Sequence, residues 1–361
     1  MFNKARILIT PLDWGLGHAT RCIPIIHALL DRDAVPVIGA DHGPLAILTE
    51  AFPHLEHVRI PGVDVRYGKG SDQRWSMLRQ FPRMVRSVRA ERNRFERLMH
   101  TLAIDAVISD QRFGIRSPEV PSILITHQVF PFSPMAQRAV RELNLQHIRR
   151  FHRCWIMDEP EAPGLAGELS HGKELPPNCT YIGSQSRIRR SNSATGKSLA
   201  GGPFRILAVI SGPEPQRTLL ENALKEQLGT IDGKHLIVRG RPDDTGVEHL
   251  GNITLVGHLN SEELGVEMTR AEMIVSRSGY TTLMDLAALG RSALIIPTPG
   301  QSEQEYLGEL HTSTGRSLMQ TQAQLDLRSA LDRVPGPSTS SAPVDNALLE
   351  QALKDLASML H

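Results

Sequence analysis

The chain has 361 residues, room for two domains at about 100–200 residues each. Its hydrophobic content of 40% and charged content of 22% are those of an ordinary globular chain, and a net charge of +1 gives no global field for nucleic acid. Three cysteines, Cys22, Cys154 and Cys179, lack C-x-x-C spacing, which argues against a disulfide framework or a zinc site and suits a reducing, cytoplasmic compartment.

The N-terminus runs directly into a strand-like segment, Ala5–Thr10, with no apolar signal core. A glycine-containing turn follows, then helical spacing from His18 to Leu30. Val35–Ala40 and His57–Val63 read as further strands. Ser76–Leu102 reads as a long helix, with Pro82 tolerated only near a start or a kink. Asp105–Asp110, Pro121–His127 and Arg153–Glu159 continue the strands. Strands alternating with helices imply a parallel sheet covered on both faces. Thr180–Pro203 is rich in Ser, Gly and Arg and lacks apolar periodicity, so it reads as a linker.

The pattern then restarts. Phe204–Ile210 is a strand, Ser211–Gln216 a turn-rich loop, and Arg217–Leu228 an amphipathic helix. His235–Gly240, Ile253–Leu259, Glu272–Gly279 and Arg291–Pro299 are strand candidates. Ser261–Arg270 is a helix capped by Asn260 or Ser261. Gly336–Pro343 is a second loose connector, and an amphipathic helix closes the chain. The expected architecture is α/β, two Rossmann-like domains facing across a cleft. One would span 1–180 and the other 200–335, with 336–361 forming a connector and a helix that packs back.

Four stretches carry chemistry. Gly15, Gly17, His18, Thr20 and Arg21 form a strand-to-helix turn, where backbone N–H groups and a helix dipole favour an anion. His18 at the first helical turn would face that opening as a general base or an anion donor. A dinucleotide fingerprint is disfavoured, because the third glycine is missing and the nearby acid after the second strand is only Asp41. The second stretch is Ser278, Gly279, Thr281 and Asp285. Hydroxyls and amides there suit a diphosphate and the carboxylate suits ribose, although an ordinary βα turn explains them equally well. The third, Pro297–Glu309, gathers Gln301, Glu303, Gln304 and Glu305 at a helix start on the sheet's carboxyl edge, where ligands bind in open α/β folds. The fourth is Ser211 and Gly212, a turn able to meet a phosphate.

Charge is uneven. From Arg59 to Arg97 eleven basic residues face four acidic ones. Leu78, Phe81, Val85, Val88, Phe95 and Met99 make one stripe no wider than core packing needs. A sheet-covering helix with a solvated arginine face is therefore favoured over attraction to anionic lipid.

Together these motifs resemble family-28 glycosyltransferases of the GT-B fold, the family that includes the N-acetylglucosaminyltransferase of lipid II synthesis. Residues 15–21, "GLGHATR", resemble its glycine-rich loop. Residues 276–290, "SRSGYTTLMDLAALG", resemble its nucleotide-sugar signature, with Asp285 at the position of the ribose glutamate. "SEQEY" resembles the donor-sugar segment, matching Gln304 and Glu305. "SGPEPQ" takes the place of its Gly-Gly-Ser loop, and "YIGSQSR" resembles the phrase leading into the second domain. Three departures stand out: Asp13-Trp14 before the glycines, a shortened acid at 285, and Glu305 in place of glutamine.

The resemblance implies a UDP-sugar donor held by Ser211, Gly212, Ser278, Gly279, Thr281, Asp285, Gln304 and Glu305. It implies a sugar or lipid-linked acceptor over the first domain, near Gly15, Gly17, Thr20 and Arg21. His18 would deprotonate or orient the acceptor hydroxyl in an inverting displacement. No metal and no cofactor are implied, since helix N-termini and loop amides can neutralise the leaving diphosphate. The cytoplasmic location would include peripheral contact with the inner face of the membrane if the acceptor is lipid-linked. A G-x-G-H-x-x-R loop also occurs in UDP-sugar hydrolases of nonulosonate biosynthesis, where the histidine would activate water. A non-catalytic sugar-nucleotide-binding regulator is the third reading.

Overall fold

Buried apolar runs organise two sheets. The computed structural model describes residues 1–13, 15–62, 88–99, 101–133, 136–188, 199, 202–336 and 346–360. These divide into two units, one made of the described residues up to 185 plus 346–360, the other of 186–336. The first part of the expected Ser76–Leu102 helix (76–87), half of the Thr180–Pro203 linker and the connector at 337–345 lie outside the described residues.

In the first unit the strands are β1 (Arg6–Thr10), β2 (Val35–Ala40), β3 (His57–Arg59), β4 (Ala106–Asp110), β5 (Ser122–Thr126), β6 (Arg153–Ile156) and β7 (Cys179–Tyr181). They pair in the order β3-β2-β1-β4-β5-β6-β7, all parallel. Both β4 and β5 are buried at every residue, as strands covered on both faces must be. Helices α1 (Leu16–Leu30), α2 (His42–Ala51) and α3 (Gln137–Ile148) accompany them. Two of these elements carry little sequence signal. The three residues of β7 have no apolar run, and α3 buries only Ile148, so neither shows a core-facing pattern. Residues 88–99 are helical and bury Phe95 and Met99 against Leu8, Val37 and Ile60, while Arg89, Arg94 and Arg97 are exposed.

The second unit contains β8 (Ile206–Val209), α4 (Gln216–Leu228), β9 (His235–Val238), β10 (Val247–Leu250), β11 (Ile253–Val256), α5 (Ser261–Arg270), β12 (Met273–Ser276), α6 (Tyr280–Leu289), β13 (Leu294–Ile295), α7 (Ser302–Ser313), β14 (Leu318–Met319) and α8 (Leu327–Leu331). Its order is β10-β11-β9-β8-β12-β13-β14. All pairs are parallel except β10 with β11. Every residue of β10 is exposed, Val247 and Leu250 included, so this edge strand has no buried face to impose a readable alternation. Helix α5 begins in a capping box: the Asn260 side chain accepts from the Glu263 amide, and the Glu263 carboxylate accepts from the Asn260 amide.

The closing helix α9 (Ala347–Ser358) returns to the first unit. It buries Leu349, Ala352, Leu353 and Leu356, one helical stripe, and its Asp355 accepts from Arg153 Nε at 2.7 Å. Glu350 pairs with Arg32 at the end of α1. Among the described residues no helix is long and apolar enough to cross a membrane.

Each sheet has a switch point, where the chain leaves one central strand in one direction and later returns on its other side. In the first unit it lies between β1 and β4, and in the second between β8 and β12. Ligands of open α/β sheets bind at the carboxyl ends of such strands.

Candidate active site

At the first switch point β1 ends at Thr10 and α1 begins at Leu16. Gly15 turns the chain between them with φ +116°, a conformation that penalises any side chain. Gly17 and His18 then fall in the first turn of α1. On the neighbouring strand, Thr10 is in register with Ser109, so Asp110 projects just beyond it. His18 Nδ1 lies 2.9 Å from Asp110 Oδ2.

Arg21, one turn after His18, closes the cluster. Its Nε donates to Asp110 Oδ2 at 2.7 Å and its Nη2 to Asp110 Oδ1. Its Nη1 lies 2.9 Å from His127 Nδ1, just past the end of β5, and its Nη2 lies 2.8 Å from His18 Nδ1. The Asp110 side chain is 0% exposed and that of Arg21 2%, whereas the His18 side chain is 17% exposed. His18 is therefore the member that meets solvent, and its Nε2 makes no hydrogen bond among the described residues. A histidine held at Nδ1 by a buried carboxylate, with Nε2 open, has the geometry of an oriented general base.

Burial disfavours the Asp110 carboxylate, but the charges of Arg21 and His18 and their hydrogen bonds outweigh it. The carboxyl is held down at about 2, from an ordinary 3.8. A depressed acid stabilises the fold above its unfolded value and loses that contribution as pH falls through the folded one. The shift is worth roughly 2 kcal/mol, fully present above about pH 4 and gone near pH 2. Denaturant unfolding of the wild type and Asp110→Asn should show a stability gap that narrows across that window. A gap independent of pH would contradict the assignment.

Two residues expected to face a ligand do not. Thr20 is buried and its Oγ1 donates to the Gly17 carbonyl at 3.0 Å, closing the helical turn. Arg21, expected as an open cation, is instead seated on Asp110, because a buried carboxylate needs a counter-charge more than an exposed phosphate site does.

At the second switch point, Ser211 and Gly212 follow β8, and Arg277, Ser278 and Gly279 follow β12. Arg277 is fully buried. Its guanidinium donates to the carbonyls of Gln216 at 2.8 Å, Pro297 at 3.1 Å and Ile296 at 3.3 Å, tying the start of α4 to the end of β13. Burial alone pulls its pKa to about 10. Ser278 Oγ donates to the Gln304 carbonyl at 2.7 Å. The Gln304 side chain accepts from the Thr298 amide at 2.8 Å and Glu305 from the Gly300 amide at 3.0 Å, so both brace the turn before α7. Thr281 lies in the first turn of α6, half-buried.

Asp285, the expected ribose acid, is 3% exposed. Its Oδ1 accepts from Ser186 Oγ at 2.6 Å, and its Oδ2 lies 3.7 Å from Arg187 Nε. Burial raises its carboxyl's pKa, against the lowering effect of Arg187 and Ser186. This shortened acid holds the segment entering the second unit.

Sequence reasoning passed over Asp110, His127, Ser186, Arg187 and Arg277 as site residues. Asp110 and His127 had a readable signal: each is a polar residue ending an apolar strand run at the carboxyl edge. Ser186 and Arg187 had no periodic signal; only the resemblance of "YIGSQSR" to the phrase leading into the second domain marked them.

Known proteins resemble this chain in part of its sequence and in its fold. Residues 255–360 match the family model described as Glycosyltransferase family 28 C-terminal domain. The UDP-N-acetylglucosamine--N-acetylmuramyl-(pentapeptide) pyrophosphoryl-undecaprenol N-acetylglucosamine transferase of Methylorubrum populi is 31% identical over 123 residues, 31% of this chain. That match covers 32% of the relative, about a third of its length. Among solved structures, the glycosyltransferase SnogD from Streptomyces nogalater superposes with a TM-score of 0.60 at 17% identity, covering 99% of this chain and 95% of that one. The spinosyn rhamnosyltransferase SpnG complexed with thymidine diphosphate gives 0.59 at 14% identity, covering 98% and 94%. These likenesses extend over both units and show the fold to be GT-B.

Proposed function

We propose that this chain, which carries a glycosyltransferase family 28 C-terminal domain on a GT-B fold, moves a sugar from a UDP-sugar to an acceptor hydroxyl with inversion. The observation that carries this reading is the His18–Asp110 pair, buried on the carboxylate side and open at Nε2. His18 Nε2 takes the hydroxyl proton as the acceptor oxygen attacks the anomeric carbon. The bond from that carbon to the diphosphate oxygen breaks, and UDP leaves with the electron pair. Asp110 holds the imidazole and stabilises the imidazolium that forms.

The donor belongs to the second unit. Amides of the Ser211–Gly212 turn and of the start of α6 would neutralise the leaving diphosphate. Gln304 and Glu305 would act on the sugar by fixing the 298–300 turn, and Asp285 by fixing Ser186 and Arg187. The acceptor belongs to the first unit, beside Gly15 and Gly17. Its class is a sugar hydroxyl, carried on a lipid in the manner of the relatives' printed substrate.

A donor screen by thermal shift against UDP-, dTDP- and GDP-sugars tests the nucleotide. Ligand at 100 times its Kd should stabilise the protein by about 2.7 kcal/mol. UDP release should be slow with donor alone and accelerate with acceptor. Rapid cleavage without acceptor would replace this reading with a hydrolase, and binding with neither cleavage nor transfer would replace it with a regulator.

A further inference from the structure

His18 Nδ1 has two competing neighbours. Asp110 Oδ2 lies at 2.9 Å and Arg21 Nη2 at 2.8 Å. A carboxylate only accepts hydrogen bonds and a guanidinium only donates them. One ring nitrogen cannot satisfy both. With its proton on Nδ1, His18 donates to Asp110, and Nε2 is a bare base. With Nδ1 bare, it accepts from Arg21, and Nε2 carries the proton and can abstract nothing. The two neighbours thus favour opposite tautomers, only one of which is competent.

We propose that His127, acting through Arg21, is a positioning residue that keeps His18 in its base-competent tautomer. This rests on the reading of His18 as the base. Arg21 offers a fixed fork of donors, and where they are committed decides the outcome. Nε and Nη2 are seated on the two oxygens of Asp110, and Nη1 lies 2.9 Å from His127 Nδ1. Because Arg21 can only donate, His127 Nδ1 is bare and the ring's proton sits on Nε2; the Gln128 amide, whose nitrogen lies 3.3 Å away, then turns about its χ3 bond so that its oxygen accepts that proton. The Gln128 backbone is itself tied down where Asn144 Nδ2 donates to its main-chain carbonyl at 3.1 Å. His127 therefore anchors the far corner of the guanidinium and keeps its plane on the carboxylate. Without that anchor the fork can turn so that Nη2, already 2.8 Å from His18 Nδ1, leaves Asp110 Oδ1, donates to His18 alone and favours the inactive tautomer. Arg21, Asp110 and His127 are at most 3% exposed, so water screens these contacts little.

The test compares His127→Leu, which removes the acceptor, with His127→Asn, whose side-chain oxygen can still accept from Arg21. In His127→Leu, kcat should fall about 10–100-fold with donor KM nearly unchanged, comparable to losing the outer-shell partner of a metal-bound imidazole. His127→Asn should recover most of it. Nitrogen-15 NMR of histidine-labelled protein should show His18 protonated at Nδ1 in the wild type and shifted toward Nε2 protonation in His127→Leu. If His127→Leu does not fold, Arg21→Lys, which keeps the charge and loses the fork, carries the same expected tautomer shift. An unchanged His18 tautomer in the folded variant, or Asn damaging kcat as much as Leu, would overturn the proposal. The NMR arm needs no turnover, so it is decided separately from whether His18 is the base; His18→Ala decides that.

Discussion

Replacing His18 with Ala should lower kcat by about 10²–10⁴-fold, the usual contribution of a positioned general base. The Kd for UDP should stay within about twofold, because the nucleotide reading involves only residues of the second unit. The fold should tolerate the change. Asp110 keeps Arg21, to which it is bound through both oxygens, so no buried charge is stranded. His18 is also the least buried of the four clustered side chains, so its loss opens no sealed cavity. Turnover followed by UDP release, with UDP affinity by calorimetry, separates the two quantities. Unchanged turnover would remove His18 from the chemistry, and a matched loss of UDP affinity would place it in nucleotide binding instead.

The fold was legible wherever a face is buried. The runs at 6–10, 106–110, 122–126 and 206–209 are apolar because both sides of each strand are covered, and all four read directly as parallel strands. Elements that bury little escaped: β10 is exposed throughout, and α3 contributes one buried residue. The site was legible to the extent that local chemistry marks it. Gly15 and His18 announce a strand-to-helix turn within four residues. Their partner Asp110 lies 92 residues away from His18, and only the pairing of β1 with β4 brings the two together. Arg21 shows the limit of local reading most sharply. From sequence it is a cation beside a phosphate-type loop, and only the buried carboxylate opposite it reveals where that charge is spent. Asp285 repeats the lesson, since its partners Ser186 and Arg187 come from a stretch with no periodic pattern at all.

Gly279→Ala should leave the melting temperature within a few degrees of wild type while raising the donor Kd at least about tenfold, a loss near 1.4 kcal/mol of binding. The argument turns on what the empty protein requires of this position. Gly279 caps α6 with φ −75° and ψ 139°, an extended conformation open to any residue. No heavy atom lies within 4 Å of where its Cβ would be. Gly212, on the facing turn, differs: its φ of +103° itself demands glycine. In stability, Ala gains about 0.4–1 kcal/mol from the less flexible unfolded chain. It gives back a similar amount as a poorer N-cap than glycine. The fold is thus indifferent to a methyl group at 279, and close approach of a ligand to the backbone is the remaining physical reason for a glycine there. A diphosphate drawn to the first amides of α6 would meet that methyl group directly. Calorimetric titration of UDP-sugar into Gly279→Ala and wild type measures the difference. Equal affinities would move the diphosphate away from α6, whereas a lowered melting temperature would mean that the glycine serves the fold after all.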